Sequence, residues 1–572
     1  MAAFPPQFGK VISCLLFALL VFVMAATQSM AVLRKDMGNR DPFVYYDDES
    51  GRFYMTGTVG HGHGYDIAQT SDPTLETWED WKPAFRCPEG FWADRAFWAP
   101  EIHKYKGKYY MIGTGGSPIR PKGIMILVSD TPGGPYTLHA PQPLTPPQYE
   151  CLDGTLYIDK KGDPWLVYSR EWVSAHDGQM RAFRLKDDLT GRLPGAQDVL
   201  LFSASSASWS APWGDNPRNW LTDGPQPLRL SDGTLVMAWS SNTILPQPIH
   251  WGYAVGLAYS TSGEITGPWV QEDKPLYNGY AGHGVIFRHP TEGLKLAVLQ
   301  PQSGARAYPL FIQVHERNGR LTLADPRTSN YVLAYWRFED LTPGRSVLPS
   351  IDILDVSPNA NHLRGTDYDS VGGASADVPA ALIPANGRPN RASYDSSQSA
   401  KAPAEVCYLF SPRESLNSMT LKTWTLEASV KLAKLGEQQT FVGKDAEDKA
   451  GDGVLSFCVT PDGRIEIAVL CGSDKRVSAS SATVAAPDKW YNTAATYDGK
   501  QIRLYVDKLD GKGYALECSV AAKGLTLGKS PWTVGRGMKG GKPARQFIGL
   551  IDEVRISRTA LTPESFLFHQ QD

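Results

Sequence analysis

Basic clusters, metal-binding motifs and long hydrophobic runs are all scarce in this chain, and each scarcity removes a class of function. Lys and Arg number 57 against 60 Asp and Glu, for a formal net charge of −3. No basic stripe breaks that balance, which excludes a nucleic-acid binder of the usual electrostatic kind. Cysteine is rare, at seven in 572 residues. There is no CxxC pair and no His/Cys cluster of zinc-site spacing, so a structural zinc domain is excluded. One apolar run stands out, Val11 to Ala26, and no other segment is long enough to span a membrane.

That run has Lys10 on its amino side and small residues, Ser29-Met30-Ala31, after it. Residues 1–31 therefore read as a secretory signal peptide. The expected mature chain is secreted, periplasmic or on the cell surface, with no integral membrane segment after cleavage. An uncleaved anchor is the competing reading. Outside the apolar run six cysteines remain: Cys87, Cys151, Cys407, Cys458, Cys471 and Cys518. An exported chain can pair them or leave them buried and free, and spacing does not decide which.

Turn formers and aromatics, in contrast, are abundant: 54 Gly, 42 Pro, 16 Trp, 25 Tyr and 20 Phe. Short strands between frequent turns predict an all-β protein. Its first 300 residues repeat. Five segments follow one order of features: a strand, a Gly-containing turn, a second strand, then small or hydroxylated residues. They begin at Phe43, Ile102, Leu156, Leu228 and Val285, at intervals of 59, 54, 72 and 57 residues. Each unit continues into a second strand pair, as in Ile124–Asp130 and Tyr253–Ser260. Four strands taken five times is the arithmetic of a five-bladed β-propeller, expected over residues 32–327.

The first strand of a propeller blade lies nearest the axis, so residues at its start face the channel mouth. Those residues are Asp41, Glu101, Asp153, Asp223 and His283. Four carboxylates and an imidazole converging on one funnel repel one another, which shifts pKa values or attracts a cation. Glycoside hydrolysis needs two carboxyl groups, one to protonate the leaving oxygen and one to activate water or attack the sugar. A third carboxylate beside the acid keeps it protonated.

Five phrases carry a resemblance. They are Arg40-Asp41-Pro42-Phe43, Trp98-Ala99-Pro100-Glu101, Leu152-Asp153-Gly154-Thr155, Thr222-Asp223-Gly224-Pro225 and Gly282-His283-Gly284. Residues 38–320 resemble the family-43 glycoside hydrolases. That resemblance implies an inverting glycosidase of the arabinofuranosidase or xylosidase kind. It makes Asp41 the general base, and it gives Asp153 the role of orienting the acid and tuning its pKa. It also places His283 beside a calcium or sodium ion on the axis. No organic cofactor is expected. The family's proton donor is a Glu in Glu-Gly-Pro, where this chain has Asp223, and Glu171 in Ser169-Arg170-Glu171-Trp172 is the nearby alternative. A sugar-binding propeller without activity is the competing class of function.

Twelve of the 16 tryptophans precede residue 270. Flat apolar rings suit the C–H faces of sugars, which makes Trp98 and Trp172 candidates for substrate binding beside Glu101. His61, in His61-Gly62-His63-Gly64, is a further candidate on a loop after the first hairpin. The expected ligand is a polysaccharide or oligosaccharide.

After Asp325–Asn330 the pattern changes. Alternating strands at Tyr331–Glu339, Trp424–Val430, Trp490–Tyr497 and Phe547–Ile556 predict an antiparallel sandwich over 328–572. The phrases Tyr335-Trp336-Arg337-Phe338 and Ile548–Ile556 resemble a laminin-G, concanavalin A-like jelly roll. Such a domain implies a lectin or a structural spacer, and no clustered carboxylates suggest catalysis in it.

Overall fold

A computed structural model describes residues 31–570 apart from positions 61, 215, 245–250, 279–280, 301–306, 326–327, 348–351, 367–369, 398–407, 448–450, 472–474 and 526. The signal peptide predicted at 1–31 therefore lies almost wholly outside the described residues, as does His61. No described helix is long and apolar enough to cross a membrane.

The first half is a five-bladed propeller. Blade one comprises Arg40–Asp47, Arg52–Thr58, Gly64–Thr70 and Lys82–Arg86, and blade two Arg95–Tyr105, Lys108–Ser117, Arg120–Ser129 and Thr137–Leu138. Blade three comprises Cys151–Ile158, Pro164–Arg170, Gln179–Arg184 and Val199–Ser203, and blade four Asp223–Arg229, Leu235–Ile244, Trp251–Ser260 and Trp269–Gln271. The fifth has three strands among the described residues, Gly282–His289, Gly293–Gln300 and Tyr308–Gln313. The five first strands neighbour one another around a closed ring.

Each blade is apolar on both faces, because successive side chains of a strand point to opposite sides. In blade four Val236 packs toward blade five with Leu257, Ile286 and Leu296. Its neighbours Leu235 and Met237 pack toward blade three with Val167 and Phe202. A core of this kind fills every joint between blades, including the last, where Phe287 and Ala297 meet Val44 and Met55. Arg34, in the 3-10 turn Arg34–Asp36, also clasps that last joint. It donates to the Pro309 carbonyl of blade five at 2.8 Å and pairs with Glu76 of blade one at 3.0 Å.

The second half is a sandwich of two antiparallel sheets, with nine and eight strands. Its core runs through Trp336, Phe338, Trp424, Phe441, Phe457 and Phe547. The two phrases that suggested a jelly roll are partners: Val332–Trp336 pairs with Gly549–Ser557. Arg337 and Glu553 beside that ladder form a buried ion pair at 3.0 Å. The five described cysteines are free thiols.

Candidate active site

The blade heads share one irregularity. In every first strand the register slips by one residue, between Arg40 and Phe43, Trp98 and Glu101, Leu152 and Thr155, Asp223 and Gln226, and Gly282 and Val285. Each slip is a β-bulge, which re-aims the side chains beside it. The first bulged residue adopts a left-handed backbone each time: Asp41 (φ 53°), Ala99 (42°), Asp153 (55°), Gly224 (51°) and His283 (47°). These five positions are the true equivalents around the axis.

That register corrects the expected set. Asp41, Asp153 and His283 do occupy equivalent places. Asp223 sits one residue earlier, in the position of Arg40, Trp98, Leu152 and Gly282. Glu101 sits two residues later, in the position of Phe43, Thr155, Gln226 and Val285, one layer deeper. Its carboxylate is 4 % exposed, meets His103 Nε2 at 2.9 Å, and does not line the cavity above. It is a buried residue of the axis, one layer below the cavity.

The residues opposite the bulges explain the small and hydroxylated positions of the repeat. Thr58 Oγ1 accepts from the Ala99 amide at 2.9 Å, Thr114 Oγ1 from that of Asp153 at 3.0 Å, and Ser240 Oγ from that of Gly284 at 3.2 Å. Ser169 donates to the Thr222 carbonyl at 2.6 Å. A hydroxyl of one blade thus fixes the head of the next, at four joints of the five.

The heads enclose a cavity of about 430 Å³ lined by Arg40, Asp41, Thr58, Trp98, Leu152, Asp153, Glu171, Leu221, Asp223, Tyr253 and His283. His283 Nδ1 lies 3.5 Å from Asp153 Oδ2 and 3.8 Å from Asp41 Oδ1. The ring needs the space that glycine leaves at 224, where a Cβ would come within 3.2 Å of it. The Gly224 amide in turn donates to Asp153 Oδ2 at 3.1 Å, which ties Asp153 to the residue that follows Asp223.

Electrostatics separate the carboxyl groups. Burial, then the charge of Asp41, pushes Asp153 well above the usual carboxylate range. Burial, then the charge of Asp153, pushes Asp223 up to about 8, against a lowering hydrogen bond from Tyr253. Glu171 instead pairs with Lys122 at 2.8 Å, and Lys122 also reaches Glu150 at 3.0 Å and lies 5.5 Å from the centre of the Trp98 ring. Glu171 is thus held by an ammonium, where Asp223 is held by a neutral phenol. Trp172 starts a one-turn helix behind Glu171 and does not line the cavity.

Among the described residues no group of three or more His, Cys, Asp or Glu side chains is placed to hold a metal ion. The side chains that face His283 Nδ1 are the carboxylates of Asp153 and Asp41. Sequence reasoning did not single out Tyr253, Lys122 or Arg40. Tyr253 and Lys122 reach the site from the third strands of their blades, where the repeat carries no mark.

Residues 34–315 match the family model of glycosyl hydrolases family 43, and residues 408–565 that of the concanavalin A-like lectin/glucanases superfamily. A solved endo-arabinase from Bacteroides thetaiotaomicron VPI-5482 is 34% identical, over 51% of this chain and 100% of that one, with a TM-score of 0.47. The chain belongs to glycosyl hydrolases family 43. Extracellular endo-alpha-(1->5)-L-arabinanase 1 of Bacillus subtilis (strain 168) is 27% identical over 138 residues, which are 22% of this chain and 41% of that protein. An alpha-L-arabinofuranosidase from Lactobacillus brevis is 15% identical over 52% of this chain and 97% of its own, with a TM-score of 0.42. The family-43 region is the propeller, and the cavity lies at its blade heads.

Proposed function

We propose that this family-43 chain is an exported, inverting glycoside hydrolase that cleaves arabinofuranosyl linkages in an arabinose-containing polysaccharide. The observation that carries the chemistry is the pairing of unlike carboxyl groups in one cavity. Asp223 keeps its proton at neutral pH, and Asp41, with 18% of its side chain exposed, lines the same cavity. Asp41 accepts a proton from water as the water oxygen attacks the anomeric carbon. The glycosidic C–O bond breaks with its electron pair on oxygen, and that oxygen takes the proton of Asp223. Asp153 holds the backbone beside the acid, through the Gly224 amide. Arg40, Trp98 and Thr58 offer the sugar hydrogen bonds and a flat ring. Arabinose is favoured by the names of the relatives above, and export by the apolar run at 11–26 and the extracellular relative.

The test is hydrolysis of linear arabinan and of aryl α-L-arabinofuranosides, with the anomer of the first product followed by NMR. Release of the inverted sugar supports the reading. Tight glycan binding without release on arabinofuranosyl or xylosyl substrates would make the propeller a binding module.

A further inference from the structure

Resting on that reading, we propose that Tyr253 is the positioning residue that fixes which oxygen of Asp223 carries the catalytic proton and steadies the carboxylate left behind. Tyr253 belongs to the third strand of blade four, Trp251–Ser260, while Asp223 opens the first. Its ring is 5% exposed and lies so close over Gly282 that a Cβ there would come within 2.0 Å of it. The ring is therefore held by a position at the head of blade five that admits only glycine. Its hydroxyl donates to Asp223 Oδ2 at 2.5 Å and has no other partner among the described residues.

The geometry leaves one arrangement for the proton. Oδ2 is occupied as an acceptor. A proton on Oδ2 would force the phenol to accept instead and leave its own O–H buried and unpaired, which is costly. The proton of the neutral acid therefore sits on Oδ1. When the Oδ1–H bond breaks and the proton passes to the glycosidic oxygen, Asp223 becomes anionic. The bond from Tyr253 then becomes charge-assisted and about twice as strong. An interaction that strengthens along the reaction lowers the barrier and does little for substrate affinity. The other groups facing Asp223 are Asp153, Glu171 and His283. The two carboxylates oppose its ionisation, and Tyr253 is the one neutral donor bonded to it.

The experiment compares Tyr253→Phe, Asp223→Asn and the unaltered full chain on 2,4-dinitrophenyl and methyl α-L-arabinofuranoside. The first leaving group departs without protonation and the second requires it. For Tyr253→Phe we expect kcat on the methyl glycoside to fall about 10-fold or more, kcat on the dinitrophenyl glycoside to change less than about 3-fold, and KM to hold for both. Equal losses on the two substrates, or no loss on either, would overturn the proposal. Asp223→Asn separates the two levels of inference. If it shows the leaving-group split and Tyr253→Phe does not, Tyr253 has no such role. If neither shows it, Asp223 is not the acid. Should Tyr253→Phe fail to fold, Gly282→Ala decides, because it displaces the ring and keeps the phenol. The same split is expected from it, and its absence counts against the proposal.

Discussion

Both halves of the molecule bury carboxylates, and the pair at the jelly-roll ladder is held differently from the pair in the propeller cavity. In the sandwich, Glu553 faces Arg337 at 3.0 Å, and Arg555 binds Glu427 through its Nε at 2.6 Å. Tyr335 adds a hydrogen bond to Glu553. In the propeller cavity, Asp153 and Asp223 have neutral donors, the Gly224 amide and the Tyr253 phenol, and among the described residues no guanidinium or ammonium is bonded to them. A buried charge with its partner holds a fold in register. A buried acid without one keeps its proton, and a retained proton is a reagent.

The largest effect that would break this comparison is catalytic. Asp41→Asn should lower kcat on arabinofuranosides by about 10³-fold, for good and poor leaving groups alike, since water activation precedes either departure. The melting temperature should stay within a few degrees. A drop confined to poor leaving groups would exchange the roles of Asp41 and Asp223.

The mirror experiment belongs to the sandwich. Arg337→Met leaves Glu553 buried without its partner, and the expected cost is about 3–5 kcal/mol of stability in urea unfolding. Turnover per folded molecule should not change. A loss of turnover that exceeds the loss of folded protein would tie the sandwich to the active site.

A smaller effect sharpens the contrast through pH. The Asp223 pKa is near 8 in the folded chain and about 4 when unfolded. Between those values the native state holds a proton that the unfolded state has released. The wild type therefore loses stability as pH rises from about 4 to about 8. Asp223→Asn removes that slope. The variant should match the wild type at pH 4 and exceed it by about 1–3 kcal/mol at pH 8. Equal stability differences at both pH values would mean that Asp223 ionises freely. The smallest expected effect is that of EDTA, which should leave kcat and melting temperature unchanged. A loss restored by calcium would give His283 an ion that its described neighbours do not provide.

Much of this was legible in the sequence, because a repeat advertises itself. The five hairpins, the all-β class and the convergence of Asp41, Asp153 and His283 follow from one pattern recurring five times. The sequence hid the register within that pattern. A bulge adds one residue to one strand of a pair, and nothing in Trp98-Ala99-Pro100-Glu101 shows that the extra residue precedes Glu101 and sends it into the core. The same slip places Asp223 ahead of the bulge and Gly224 on it. Gly224 was a usable clue, since a glycine where the other blades carry side chains means that something else fills the space, here the ring of His283. Tyr253 and Lys122 were not legible, because they reach the site from other strands through contacts between residues about 30 and 49 positions apart in the chain. In the sandwich the two phrases of the resemblance held the buried ion pair, but their pairing spans more than 200 residues and no local pattern marks it.

The chain of hydroxyls between blades bears on how the molecule tolerates being rewired. Blades two to five each receive their head from the blade before, so a break at any of those joints would unseat a residue of the cavity. The joint between blades five and one is different: Leu299 stands where the others carry Thr or Ser, and among the described residues no hydroxyl reaches Asp41. Besides the apolar core, that joint is crossed by the clasp of Arg34 on Pro309 and Glu76, by His289 on the Pro73 carbonyl, and by His283 approaching Asp41. The hydroxyl links thus run one way around the ring, and the water-activating carboxylate stands where their circuit is open. New termini belong at this seam, and the base is the group whose alignment reports whether the circle has closed.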